Sequence, residues 1–396
     1  MWFKKEKQNT LTLIFDIGSA SVGAALVYLA PNGKPSILYT VRKLLPYQSE
    51  RDYRTLLKAM LETLHNAAYE VVHQGMRTVA DHYPIPGRSI SIVCILSSPW
   101  YVMTTRTLIL EEKKPFEISP AFMEDLLKRS KAKFEKELAS RDEAQQFANS
   151  VLIEERVVQT TLNGYPTNNP YGKKAKRAEI KLFLSMGSRD VIEGITSTLS
   201  RNFHTDNIAL SSLATVSFTV LRDIYPSEDN FVMAHIGGEV TEIALVREDM
   251  LVDLVTFPRG RMSIVRDLVN RLGITHGEGE SLLMLSSKDK LNQKKAVEAL
   301  VAAKEAWLTD LERELHVLAG ESTLPRALFL TTEEQSAQWF KELVSKRRLC
   351  ENILGGELFH VIPITTESLP VVLEKKLSPR ADAFLSLETA FISRLS

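Results

Sequence analysis

Cysteine is nearly absent: Cys94 and Cys350 are the only two among 396 residues, and they lie far apart in the chain. Two thiols make neither a disulfide framework nor a zinc site, and they fit a reduced, cytoplasmic protein with buried thiols. Net charge is missing as well. Lys plus Arg and Asp plus Glu number 49 each, so no global field draws the chain to nucleic acid or to an anionic membrane. No apolar run approaches the ~20 residues that cross a bilayer, and the opening residues lack the long apolar core of a signal peptide. What remains is 44% hydrophobic and 25% charged, the make-up of a globular protein long enough to need two or more subdomains. The start, Met1-Trp2-Phe3-Lys4-Lys5-Glu6-Lys7, sets two aromatics before a lysine cluster. It reads either as a membrane-surface contact or as a solvated terminus.

One pattern occurs twice. Leu13-Ile14-Phe15-Asp16-Ile17-Gly18-Ser19 is followed by Ala25-Leu26-Val27, and Val232-Met233-Ala234-His235-Ile236-Gly237-Gly238 by Ala244-Leu245-Val246. In each copy the polar residue and the Ala-Leu-Val stand nine positions apart, the spacing of two strands joined by a tight glycine turn. Backbone amides freed by such a turn form an anion site, and the Asp16 carboxylate suits a magnesium ion held through its waters.

Between and around the copies the pattern alternates. Residues 53–73 read as an amphipathic helix with Leu57, Met60, Leu61 and Leu64 on its buried face. Residues 89–96 read as a buried strand. Ser119-Pro120 opens a charged helix to about residue 140, followed by strands at 151–162 and 178–186 and by a helix capped by Ser188. This makes a compact inserted α+β module. The second half is expected to contain an apolar helix at 211–221, a strand at 250–257 and a long helix at about 289–318. A short strand at 327–330 follows, then a helix capped by Thr332 with Gln335 completing a capping box, a strand at 359–363 and a closing helix at 382–395.

On these residues the chain resembles the actin-like ATPases, and among them the bacterial FtsA and PilM branch. Asp16-Ile17-Gly18-Ser19-Ala20-Ser21-Val22 is similar to that family's first phosphate motif, and Ile236-Gly237-Gly238-Glu239-Val240-Thr241 to its second. The resemblance implies an α/β, actin-like (ribonuclease H-like) two-lobed fold with an inserted small strand-helix-strand-strand subdomain. Its segments would be a basic start at 1–10, a first lobe at 11–112, the insertion at 113–203 and a second lobe at 204–396. It further implies ATP or ADP with Mg2+, held by Asp16, Gly18, Ser19, Ser21, His235, Gly237, Gly238 and Thr241, with Thr331, Thr332 and Glu333 on the adenosine side and Asp16 on the metal. The role implied is a scaffold at the cytoplasmic membrane face. In a PilM-like protein of type IV pilus assembly it would bind a cytoplasmic peptide of a membrane protein near the insertion. In an FtsA-like division ATPase it would form nucleotide-dependent filaments. The lysine-rich start, and a closing helix without a basic amphipathic tail, favour the PilM-like reading.

Departures from the family pattern weaken catalysis. His235 stands where the second motif has an aspartate, and a neutral imidazole is a poor magnesium ligand. Thr331-Thr332-Glu333-Glu334 replaces the adenosine motif's glycines, and Leu210-Ser211-Ser212-Leu213-Ala214-Thr215 offers no carboxylate or glutamine to aim a water. Weak or absent hydrolysis is the expectation. Lys173, Lys174, Lys176 and Arg177 beside Tyr165 and Tyr171 read better as a solvated loop than as a nucleic-acid site. Glu154 and Glu155, adjacent on a strand, face opposite ways. A sugar-kinase reading lacks a catalytic aspartate motif.

Overall fold

The computed structural model describes residues 10–30, 33–50, 52–83, 90–138, 147, 149–286, 294–347, 349, 353–377, 379–380 and 382–394. The segment Met1–Lys7, the turn at Pro31-Asn32, Cys350 and the first residues of the expected long helix lie outside them. Two compact units emerge, one of residues Met1–Pro99 and Gly194–Ser396, the other Trp100–Glu193. The sequence reading places the insertion at 113–203.

In the larger unit the first hairpin is β1 (Thr10–Ile17) and β2 (Ser21–Leu29), extended by β3 (Ser36–Leu44). Helix α1 (Tyr53–Glu70) is capped by Asp52, whose carboxylate accepts the Thr55 amide at 2.7 Å. After a π-turn at Val71–Gly75 and the short α2 (Met76–Ala80), β4 (Ser91–Leu96) runs parallel to β1. Apart from Thr10, every residue of β1 is buried, the unbroken apolar run expected of a central strand covered on both faces.

The smaller unit is a four-stranded antiparallel sheet of β5 (Tyr101–Glu117), β6 (Ser150–Leu162), β7 (Tyr165–Pro166) and β8 (Lys174–Ser188), ordered β5-β8-β6-β7. Helix α3 (Pro120–Leu138) packs Met123, Leu126 and Phe134 onto it, with the Ser119 hydroxyl accepting the Phe122 amide at 3.1 Å. The Lys174–Arg177 run begins β8 and is not a loop. Of the adjacent carboxylates, Glu154 is buried and Glu155 exposed, and Glu154 accepts the Ser185 hydroxyl at 3.1 Å.

Helix α4 (Arg189–Phe203) leads back to the larger unit, where β9 (Ile208–Ser212) joins the first sheet beside β4. Five residues suffice for this strand, too few for periodicity to separate it from the following helix α5 (Leu213–Ile224). The second hairpin is β10 (Phe231–Ile236) and β11 (Thr241–Arg247), extended by β12 (Met250–Phe257). Then come α6 (Arg261–Leu272), α7 (His276–Ser286), α8 (Lys294–Ala319), β13 (Ala327–Thr332), α9 (Glu334–Ser345), β14 (His360–Pro363), β15 (Val372–Leu373) and α10 (Ala383–Ile392). Thr332 does not cap α9. It stays in β13, donating its hydroxyl to the Ile236 carbonyl at 3.1 Å, and the helix starts behind Glu333.

The two sheets repeat one plan. The first is ordered β15-β3-β2-β1-β4-β9 and the second β12-β11-β10-β13-β14. In each, the hairpin's first strand is central, antiparallel to its partner and parallel to a later strand. The second core gathers around Trp307, which is 1% exposed and packs beside Phe257 and Phe340. Among the described residues no helix is long and apolar enough to cross a membrane.

Candidate functional site

Register sets the centre of the site. Asp16 on β1 pairs with Gly23 on β2, and Gly23 with Arg42 on β3, so three neighbouring strands place these residues in one row on one face. Gly23 contributes no side chain, and a Cβ there would stand 2.7 Å from the Arg42 guanidinium. Arg42 lies across that gap and reaches Asp16, Nη2 to Oδ2 at 2.7 Å. Its Nη1 donates to the Ser21 hydroxyl at 2.8 Å, and its Nε and Nη2 grip Asp382 at 2.6 and 3.0 Å. Asp382 also caps α10, accepting the Leu385 amide at 3.1 Å. The Phe384 ring covers the guanidinium at 5.5 Å, and Glu388, one helical turn further on, is wholly buried.

Burial raises the Asp16 carboxyl above its ordinary value, and Arg42 pulls against that rise. For Arg42 burial opposes the charge, but Asp382 and Asp16 overcome it and raise the guanidinium further. Burial, and after it the Asp16 charge, holds Glu388 well above the carboxylate range. The cluster thus sets one guanidinium between the Asp16 and Asp382 side chains, with the buried Glu388 on the helix that Asp382 caps.

The second hairpin builds a different row. His235 pairs with Glu242, and Glu242 with Thr256. Burial pulls the imidazole down to about 3, so His235 is neutral, its ring edge-on to Phe384 at 5.3 Å and its Nδ1 without a partner among the described residues. Glu242 accepts the Ser98 hydroxyl at 2.6 Å, tying the second hairpin to the first half.

The two turns touch directly. The Glu239 amide donates to the Ser19 hydroxyl at 2.9 Å, and a Cβ on Gly238 would lie 2.3 Å from that of Ala20. On the far side of this contact Arg266 binds Glu239 at 2.6 Å and the Gln48 carbonyl at 3.1 Å. The N-terminal amides of α6, free donors that suit an anion, are already engaged: Arg261 N–H bonds the Gly237 carbonyl at 2.9 Å and Met262 N–H that of Gly238 at 2.8 Å.

Asp16, Gly18, Ser19, Ser21, His235, Gly237, Gly238 and Glu333 border one cavity of about 30 Å³. Glu333 reaches it paired with Arg261 at 3.1 Å. Thr241, Thr331 and Thr332 do not border it. The buried Thr241 hydroxyl donates to the Arg259 carbonyl at 2.6 Å and accepts the Trp307 indole N–H at 3.1 Å, which turns it to the core. Arg42, Asp382, Glu388, Phe384 and Arg261 belong to the site and carry no motif that marks them in the sequence.

A cavity of this size holds a water, whereas small-molecule sites run to roughly 300–1,000 Å³. Among the described residues no three His, Cys, Asp or Glu side chains converge as a metal requires. The residues as arranged here do not fit a magnesium nucleotide: Asp16 is engaged by Arg42, and the first two amides of α6 are engaged by carbonyls.

Glu388 and His235 give the site opposite pH signatures. A carboxyl raised in the folded state contributes stability that is complete below its ordinary 4.5 and is lost as pH rises toward the folded value. A histidine lowered in the folded state contributes stability that is present above 6.5 and lost as pH falls toward about 3. Urea unfolding of Glu388→Gln beside the wild type isolates the first effect. The variant should gain on the wild type by about 1 kcal/mol per pH unit as pH rises above 5. A difference independent of pH would contradict the assignment.

No family model matches the sequence, and no curated protein matches it significantly. Among solved structures the chain is similar to one described as a PilM-PilN type IV pilus biogenesis complex, with a TM-score of 0.59 at 14% identity over 97% of each chain. It is also similar to the ethanolamine utilization protein EutJ from Carboxydothermus hydrogenoformans, at 0.44 and 11% identity over 100% of this chain and 93% of that one. A Bacteroides thetaiotaomicron protein with an actin-like ATPase fold gives 0.40 and 12% over 91% and 93%. The fold that the resemblance implies is the fold observed: α/β, actin-like, with two related sheets.

Proposed function

We propose that this chain is a PilM-like scaffold of type IV pilus assembly. It works at the cytoplasmic face of the membrane by binding a short cytoplasmic peptide of a membrane protein. The observation that carries the reading is the likeness to the PilM-PilN complex over 97% of both chains. The direct contact between the two glycine turns supports it from a second side, because a scaffold needs fixed surfaces and no turnover. ATP or ADP with magnesium would have to displace Arg42 from Asp16 and part Gly238 from Ala20, and hydrolysis has no place in the proposed role.

The smaller unit has a groove of about 460 Å³ along α3, lined by Met123, Leu127, Leu152 and Tyr171 together with two lysines, Lys128 and Lys131, and two glutamates, Glu124 and Glu155. Its size and its mixed lining suit a peptide of a few apolar residues flanked by charges of both signs. The test uses the full chain and synthetic cytoplasmic peptides of the inner-membrane pilus proteins from the same genome, measured by fluorescence anisotropy. Leu127→Asp should weaken binding by at least about tenfold, the effect of burying an unpaired charge at a small interface. Leu57→Asp, in the separate groove of about 880 Å³ between α1 and α4, should leave it unchanged. Binding of none of the peptides would remove the reading, and loss through Leu57 alone would move the site.

A further inference from the structure

An arginine takes the place of an external cation at the first glycine turn. All three guanidinium nitrogens of Arg42 are engaged, by Asp16, Asp382 and the Ser21 hydroxyl. The missing side chain at Gly23 is what lets the guanidinium cross β2. We propose that Arg42 is a built-in ligand of the Asp16 turn, which leaves the cleft between the two hairpins ligated by the protein itself and closed to nucleoside di- and triphosphates.

Two further observations carry the inference. The donors at the start of α6 are used internally, since its first amides bond the Gly237 and Gly238 carbonyls. The contact between hairpins is also fastened on both sides, by the Glu239 amide on Ser19 and by the Ser98 hydroxyl on Glu242. A phosphate chain entering here would have to replace a bidentate guanidinium-carboxylate pair, among the strongest polar contacts a protein makes, and would bring negative charge toward Asp16 and Asp382 with their cation displaced. The inference goes beyond the scaffold reading and does not depend on it.

Two measurements test it. Calorimetric titration of the wild-type full chain with Mg-ATP and with Mg-ADP, to millimolar nucleotide, is expected to give no saturable heat, and thermal melting no rise. A one-to-one isotherm with Kd near or below ~100 µM would overturn the proposal, because nucleotide in such excess must also raise the melting temperature. The second uses Arg42→Ala, which leaves a guanidinium-sized gap beside Asp16. Guanidinium chloride, far too dilute to denature, should raise its melting temperature more than sodium chloride of equal ionic strength. Equal effects would overturn the role of a resident cation, and Arg42→Thr, a better strand former that leaves nearly the same gap, serves where the alanine variant does not fold. The wild-type titration depends on neither variant, and both readouts are separate from peptide binding, so either can fail without the scaffold reading failing.

Discussion

Arg42→Met is expected to cost about 3–5 kcal/mol in urea unfolding at pH 8, the effect of stranding a buried charge when its partner is removed. Among the described residues Arg42 is the one cation bonded to Asp16, and the Asp16 side chain is 4% exposed. Without the guanidinium, Asp16 must either stay ionised against its burial or take up a proton. The second course is cheaper as the pH falls. A carboxyl raised in the folded state loses its stabilising effect as pH rises through the folded value, so the Arg42→Met deficit should shrink between pH 8 and pH 5. Asp16→Asn combined with Arg42→Met should recover part of the loss, the part due to the stranded Asp16 charge, while Asp382 still lacks its partner. The double-mutant cycle over these two positions should therefore show a coupling of a few kcal/mol. Additive losses, or a deficit that does not change with pH, would mean that Arg42 stabilises through Asp382, Ser21 and Phe384 and not through Asp16.

The doubled hairpin was legible because register and periodicity are local. Leu13 to Ile17 and Val232 to Ile236 are strands in both the reading and the structure, as are residues 250–257. Asp382 as the start of the closing helix is local as well, a carboxylate accepting an amide three residues on. What stayed hidden was long range. Arg42 meets Asp382 across 340 positions, and nothing near Arg42 distinguishes it from an exposed strand residue. Gly23 is the one trace of it, a glycine inside an apolar strand, where close approach of another group is a standing explanation. Thr241 misled for the opposite reason. A threonine after a glycine turn suits phosphate chemically, yet its hydroxyl is turned to Arg259 and Trp307 by a core contact 66 positions away. The same limit applies to Thr332, where a valid capping pattern lost to a strand hydrogen bond with Ile236.

Gly260→Ala is the second large effect, and it separates closure of the cleft from its charges. An added Cβ would stand 2.4 Å from the carbonyl oxygens of both Gly237 and Gly238, backbone atoms that no rotamer change can move aside. The hairpin turn or the start of α6 must shift, at a cost of about 3 kcal/mol. The shift breaks the bonds from Arg261 and Met262 to those carbonyls and loosens Gly238 from Ala20. Hydrogen exchange reports on this directly. The Glu239 amide, bonded to Ser19 across the two halves, should exchange faster in the variant, while the amides of β1, held by their own sheet, should not. Gly238→Ala strikes Ala20 and not the helix, so it should expose the same Glu239 amide and leave those of Arg261 and Met262 protected. If both variants exchange like the wild type at Glu239, the turns are not what holds the halves together, and the ion pairs of Arg42 and Arg266 and the Ser98–Glu242 bond must do so.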